Sequence, residues 1–465
     1  MTAALGLQAE QGGRLGANLV ATSALSQVQL DSFLRRTPAE PTDLAATGIE
    51  ANELLSILMK LIHNGRLESV RQFVQAIKLP MHIVLTLVRM AVERKLIFVL
   101  GLRNSDNPMD MKYTLTEEGL RWTIEAFERT RYAGPAPVTL EAFSEQVNRQ
   151  KFTNEVITFD RLRDALNDLF FEDSIVEQAG PALSSGRAIL LYGPSGNGKT
   201  SLALRLASIF NDIIYVPYAI MAGGQIIVLH DPSIHQSTSP VSQADGSSFF
   251  SKSVDEYDQR WVPCNRPFLS TGGELTLDML DLRYDEASRF YEAPLHMKLL
   301  NGCFVIDDFG RQAVSSSQLL SRLMVPLESR VDHMRLHTGK RFSIPFDELV
   351  IFSTNIQPED VIEPTFLRRL PYKIAIEAPT VELYKRIFKQ ECELNGLTLR
   401  DEVFDQMVEQ IRGDDALELA AFQPRFIIEQ VLAICRFMGQ PPSLEPQFIN
   451  YAMQNLRLKR SSSSQ

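Results

Sequence analysis

Four short stretches carry residue types that could do chemistry together. In RAILLYGPSGNGKTSLALRLASIF, the run Gly193, Pro194, Ser195, Gly196, Asn197, Gly198, Lys199, Thr200 matches G-x-x-x-x-G-K-[ST], with Ser201 next in line. Such glycines let successive backbone N–H groups curl around an anion, and a helix starting there turns its positive end toward it. Lys199 is then placed to reach the β and γ phosphates of a nucleoside triphosphate, and the Thr200 hydroxyl to hold Mg2+. In CFVIDDFGR, Asp307 and Asp308 close an apolar run. Adjacent carboxylates repel unless a cation stands near them. Asp307 is therefore read as a metal ligand acting through water, and Asp308 as the group that orients or deprotonates an attacking water. LVIFSTN ends in Asn355, whose amide can bond a γ-phosphate or that water. In EPTFLRRLPYKI, Arg368 and Arg369 stand side by side among apolar residues, where a surface helix rarely needs them.

These residues need strands and loops to position them. Residues 187–192 read as a strand entering the glycine loop, followed by a helix with Leu202, Leu204, Leu206 and Ile209. Cys303 to Ile306 and the stretch before Asn355 read as buried strands. Alternating strands and helices over this region predict a mostly parallel sheet covered on both faces. MRLHTGKRFSIPF predicts a hairpin turning at Thr338–Gly339–Lys340 and feeding the Asn355 strand. After Thr380 only helices are expected, near 381–396, 400–412, 424–438 and 446–458. Upstream, Leu54, Leu55, Leu58, Leu61 and Ile62 share one helical face. A short helix spans Ser69 to Ile77, and Pro80 opens a third that runs to Arg94. KLIFVLG and MKYTL then read as strands around the loop RNSDNPMD, and Thr116 with Glu117 and Glu118 suits a helix start. The resulting division is a disordered segment 1–40, a small helical domain with one hairpin over 41–132, a Pro/Gly linker over 133–160 and the α/β domain over 161–380. A helical domain over 381–460 and a disordered tail over 461–465 complete it.

The order of phosphate loop, acidic strand, Asn-ended strand, arginine pair and helical end resembles the AAA+ ATPases over residues 160–460. Residues 41–132 resemble a winged helix, closing on YTLTEEG. The expected fold class is thus α/β: an AAA+ P-loop core with a parallel sheet, a C-terminal helical lid and an N-terminal winged-helix domain. The resemblance implies ATP and Mg2+ as ligands, ATP hydrolysis, and a homo-oligomeric ring, hexameric by family habit. It also implies that Arg368 or Arg369 reaches nucleotide held by the adjacent subunit. Many relatives carry Glu where Asp308 stands. In FQPRFIIEQVLAI, Arg425 matches an arginine that touches the γ-phosphate of its own subunit. The hairpin is similar to that of magnesium chelatases and enhancer-binding activators, whereas FLRRLPYKI is closer to other clades. An insertion-like region, 221–301, contains DQRWVPCNRPFLSTGGELTL. With GPAPV and IDDFGRQ, it resembles bacterial AAA+ proteins labelled as ATPases with chaperone-like activity. HQSTSPVSQADGSS reads as a mobile loop, and Phe249 and Phe250 as core or pore-facing aromatics. His230 and His235 lack evident metal partners.

Composition narrows the partners. The chain has 465 residues, 45% of them apolar, with a net charge of −10. That balance does not favour bulk attraction to nucleic acid or an anionic membrane. Residues 41–132 hold 12 Lys and Arg against 11 Asp and Glu. The exposed stripe expected on the third helix, His82, Thr86, Arg89 and Glu93, has few donors for base edges. A protein client or adaptor docked through the N-terminal domain is favoured. The alternative is a DNA-binding regulator with its ATPase site as a nucleotide switch. A GTPase lacks support because no Asn-Lys-x-Asp pattern occurs. Cys264, Cys303, Cys392 and Cys435 have neither Cys-x-x-Cys nor zinc spacing, which suits a reducing cytoplasm. No membrane insertion and no secretory leader are expected, since Arg89 interrupts the most apolar stretch.

Overall fold

The computed structural model describes residues 37–102, 111–154, 157–210, 212–238, 257–413 and 418–456. The loop RNSDNPMD, Phe249 and Phe250, most of HQSTSPVSQADGSS, residues 1–36 and the tail lie outside the described residues.

Among the described residues the first α-helices are α1 (Ala51–Gly65), α2 (Val70–Ile77) and α3 (Met81–Glu93). Strands β1 (Ile97–Leu102) and β2 (Met111–Leu115) form an antiparallel pair, and α4 (Glu117–Arg129) follows. Local chemistry sets these boundaries. Ser69 and Gln72 form a reciprocal capping box on α2, and the Thr116 hydroxyl accepts the Gly119 N–H at the start of α4. Leu54, Leu58, Phe73, Val84 and Leu87 are fully buried in one shared core.

The segment expected as a linker is instead ordered structure. It supplies β3 (Val138–Thr139) and α5 (Leu140–Arg149). Ala136 donates its N–H to the Ile77 carbonyl, and β3 pairs in parallel with a strand more than eighty residues ahead. The prolines here stiffen a strand entry rather than mark a free tether.

Helices α6 (Phe159–Ala165) and α7 (Asp173–Ser185) lead into β4 (Ile189–Tyr192) and α8 (Lys199–Ala207). Strands β5 (Ile213–Pro217), β6 (Ala219–Ala222), β7 (Gln225–Val228), β8 (Trp261–Asn265), β9 (Phe268–Thr271), β10 (Arg283–Asp285) and β11 (Phe290–Glu292) come next. Then follow α9 (Leu295–Lys298), β12 (Cys303–Ile306), α10 (Ser316–Ser329), β13 (Val331–Arg335), β14 (Arg341–Pro345) and β15 (Leu349–Thr354). Two one-turn helices, α11 (Pro358–Val361) and α12 (Pro364–Leu367), precede β16 (Tyr372–Ala375).

The main sheet has the order β16-β4-β15-β12-β9 and is parallel throughout. Its three inner strands, β4, β15 and β12, are near-continuous apolar runs because both faces are covered. The expected hairpin is β13–β14, with Gly339 in the left-handed region at its turn.

The region read as an insertion, 221–301, contributes strands to three sheets. Strand β9 is an edge strand of the main sheet, aligned Phe268↔Cys303. The other strands build a second five-stranded sheet, β10-β11-β7-β6-β3, and the antiparallel pair β5–β8. The helical N-terminal unit packs on this second sheet: Ala219 and Ile226 are buried within its core. A buried pair fastens the junction. Arg260 grips Asp258 at 2.8 Å through Nη2 and at 3.0 Å through Nε. Its Nη1 donates to the carbonyls of Thr47 (3.3 Å) and Pro137 (3.2 Å).

Helices α13 (Val381–Leu394), α14 (Asp401–Arg412), α15 (Gln423–Phe437) and α16 (Pro446–Leu456) close the chain around a core of their own. No single helix among the described residues is long and apolar enough to cross a membrane. The apolar helix α3 buries Ile83, Val84, Leu87, Val88 and Ala91 in the N-terminal core.

Candidate active site

The parallel register brings three strand ends to one edge. Tyr192 of β4 lies beside Thr354 of β15, and Phe352 of β15 beside Ile306 of β12. The glycine loop, Asn355 and Asp307–Asp308 leave these neighbouring strands at their carboxyl ends, where open α/β sheets bind ligands. The path of this loop also needs its glycines. Gly196 (φ 81°) and Gly198 (φ 86°) occupy the left-handed region, and Gly198 caps α8. The first N–H groups of α8 are thereby turned toward the loop's concave side.

Four of the residues singled out by sequence are brought together in two pairs beside a fifth, Lys199. The Thr200 hydroxyl donates to Asp307 Oδ2 at 2.8 Å. Asn355 Nδ2 donates to Asp308 Oδ1 at 2.8 Å. Lys199 is nearly buried and donates to the carbonyls of Gly193 (2.9 Å) and Pro194 (2.8 Å). Burial pulls its pKa below that of a free lysine, and the negative charges of Asp307 and Asp308 oppose that shift. Asp308 itself sits at φ 47°, a conformation aspartate adopts more readily than most residues.

The three remaining arginines do not join this cluster. Arg369 Nε pairs with Glu328 Oε1 of α10 at 2.9 Å. Arg425 Nε pairs with Glu429 Oε1, one turn along its own helix, at 2.8 Å. Arg368 is exposed and forms no ion pair with the described residues. Arg425, which the resemblance would place at a phosphate of its own subunit, lies exposed in the first turn of α15. A short i,i+4 partner is available to it on the helix surface, and it takes that partner.

Several site residues gave no motif signal. Gln312 donates to the carbonyls of Asp307 (2.9 Å) and Asp308 (3.3 Å) and accepts the Gly310 N–H, so it braces the acidic turn. The C-terminal helical domain touches the glycine loop directly. The Phe422 N–H bonds the Gly196 carbonyl at 3.0 Å, and its ring leaves no room for a Cβ on Gly196. Beside this contact lies a cavity of about 320 Å³, lined among others by Phe171, Ile175, Ile376 and Leu383. Phe171 precedes α7, Ile175 lies on it, Ile376 follows β16 and Leu383 lies on a C-terminal helix, which is why no local pattern exposes them.

The donor set suits a triphosphate with Mg2+. Among the described residues no three His, Cys, Asp or Glu side chains gather into a metal cage. Mg2+ is normally held by one or two protein oxygens plus substrate phosphates and water, which matches the single hydroxyl–carboxylate pair of Thr200 and Asp307.

A family described as a domain of unknown function (DUF8689) matches residues 380–455, the helical end of the chain. Among curated proteins nothing matches. Solved structures similar to this chain include a Holliday junction branch migration motor, RuvB from Thermotoga maritima. It is 14% identical with a TM-score of 0.35, over 64% of this chain and 73% of that one. Another is NtrX from Brucella abortus in complex with ADP, 12% identical with a TM-score of 0.37, over 75% and 69%. At these scores the likeness bears on neither site nor chemistry. The chain's own topology is an α/β fold: a five-stranded parallel sheet with the glycine loop on the strand beside the Asn-ended strand, the acidic strand next to that, and a separate helical domain at the C-terminal end.

Proposed function

We propose that the protein is an ATPase that works as an oligomer and remodels or regulates a protein client. The observation that carries this reading is the meeting of Thr200 with Asp307 and of Asn355 with Asp308 beside Lys199, on three adjacent strand ends. Lys199 supplies a positive charge to the β and γ phosphates once it leaves the two loop carbonyls. Thr200 and Asp307 hold Mg2+, which when bound neutralises charge on the phosphates. Asp308 takes a proton from, or orients, the attacking water, and Asn355 and Gln312 fix its carboxylate for that task.

The ring reading draws on the arginine pair. Arg369 is occupied by Glu328 within the chain, whereas Arg368 is exposed and forms no ion pair with the described residues. Arg368 is thus the residue assigned to a neighbouring subunit's nucleotide. The N-terminal unit is read as a winged helix that docks protein rather than DNA. On its third helix His82 bonds the Thr42 carbonyl, and Leu85 and Val92 are exposed beside Arg89 and Glu93. Phe98, Val99 and Leu100 on β1 are exposed as well. That is an apolar surface with few donors, unlike a base-reading helix.

The deciding experiment measures ATP binding and turnover by the full chain with Mg2+. Lys199→Ala is expected to abolish binding. Turnover by the wild type that Lys199→Ala leaves intact overturns the assignment. Duplex binding by the full chain that weakens steeply with salt and depends on ATP would instead favour the nucleotide-switch reading.

A further inference from the structure

We infer that the Asn197 side chain reads the base of the bound nucleotide, donating a hydrogen bond to N7 of a purine. This rests on the proposed nucleotide site and deepens it by naming the base edge that is recognised.

Three observations converge. First, Asn197 is only 3% exposed although it belongs to a glycine-rich loop. Second, its amide orientation is set by a partner outside the loop. The Ala421 N–H of the lid donates to Asn197 Oδ1 at 3.1 Å. The reverse orientation would set an NH2 group against an N–H, so the oxygen must face Ala421. Third, the amide nitrogen is then buried with no hydrogen-bond partner. A buried donor left unmade is costly, and such orphans in folded proteins point to a missing partner.

Asn197 and Ala421 both line the cavity of about 320 Å³ whose apolar walls include Phe171, Ile175, Ile376 and Leu383. Its size is at the lower end of small-molecule sites; apolar side chains on its walls can hold a flat heteroaromatic ring, and beside the polar residues that also line it, among them Glu172, Gln178 and Thr380, the Asn197 amide is the buried donor left without a partner. The edge of that ring follows from covalent geometry. In an anti nucleotide the C8–N7 edge of a purine lies on the same side as the 5′-phosphate. Asn197 is itself part of the phosphate loop, two residues before Lys199. The base edge nearest to it is therefore C8–N7, and N7 is the acceptor there. Pyrimidines have no such atom. Because Asn197 also holds Ala421, filling the cavity with a purine would complete a chain of contacts from base to phosphate loop to lid.

The test is a binding cycle on the full-length protein, read as dissociation constants by calorimetry at fixed Mg2+. ATP is compared with 7-deaza-ATP, in which a C–H replaces N7, for the wild type, Asn197→Asp and Asn197→Ala. Asn197→Asp keeps an oxygen for Ala421 and loses the donor; any effect of its charge on the triphosphate is common to both ligands and cancels in the ratio. The wild type is expected to prefer ATP by roughly two- to ten-fold, the worth of one net hydrogen bond. Both variants should bind the two nucleotides equally. A wild-type ratio of one, or a preference that survives in whichever variant folds, overturns the inference while leaving the ATP site standing. No ATP binding by the wild type overturns the proposed function, and the inference with it.

Discussion

Arg260→Ala should unfasten the N-terminal unit from the second sheet, and the structure sets the size of the loss. Arg260 and Asp258 are 5% and 2% exposed, so neither charge is relieved by water. Removing the guanidinium leaves the Asp258 carboxylate buried with, among the described residues, the Arg260 backbone N–H (3.1 Å) as its remaining donor. It also strips the side-chain donor from the carbonyls of Thr47 and Pro137. Breaking a buried pair from one side costs about 3–5 kcal/mol, most of it from the stranded charge. The two tryptophans report the event: Trp261 follows Arg260 directly, and Trp122 lies on α4 of the N-terminal unit. Urea unfolding followed by their fluorescence gives the change from midpoint and slope. The double variant Asp258→Asn, Arg260→Met removes both charges and should recover most of the loss. A cost below about 1 kcal/mol for Arg260→Ala, or a double variant no more stable than the single one, refutes the buried-charge reasoning.

Three further outcomes follow from the same geometry. Arg368→Ala should leave ATP binding intact and lower turnover by about 10³–10⁵, whereas Arg369→Ala should lose less because Glu328 already engages that side chain; equal losses, or none, contradict the assignment of Arg368 to the neighbour's site. Asp308→Asn should bind ATP and split it about 10²–10⁴ times more slowly, so that clients accumulate on the variant; unchanged turnover removes Asp308 from the water-activating role. Glu348 is fully buried with both carboxylate oxygens unpartnered, and burial first, then the charge of Asp332, raise its pKa well above the usual carboxylate range. A folded-state pKa raised in this way costs the native state nothing below the unfolded value of about 4.3, and stability falls as pH rises through the window above it. Glu348→Gln should therefore be more stable than the wild type at pH 8 and gain less at pH 5, measured as the difference in unfolding midpoint at each pH.

How much of this was legible in the sequence varies with the reach of each feature. The glycine loop, its strand and its helix are contiguous, so their chemistry depends on neighbours in sequence. The hairpin β13–β14, the caps on α2 and α4 and the four C-terminal helices are local in the same sense, and the expected and observed boundaries nearly coincide. The pairing of Thr200 with Asp307 spans more than a hundred residues, yet the strand-end positions of the two motifs already implied it. By contrast, nothing in YAGPAPVTL announced that Val138 and Thr139 would pair with Ile220 and Met221. A two-residue strand has no periodicity of its own to read.

What the sequence alone determined is the kind of chemistry available: a glycine-rich loop with a lysine and a hydroxyl, two carboxylates, an amide and two arginines, because each is a short pattern set by covalent spacing. Only the tertiary structure decided which of them have partners. It gave Arg369 to Glu328 and Arg425 to Glu429, set Phe422 against Gly196, and buried the Asn197 donor facing a cavity built from residues 171, 376 and 421. Those residues lie up to 250 positions apart, and hydrogen-bond satisfaction and close packing act on distance in space, which the order of residues along a chain does not record.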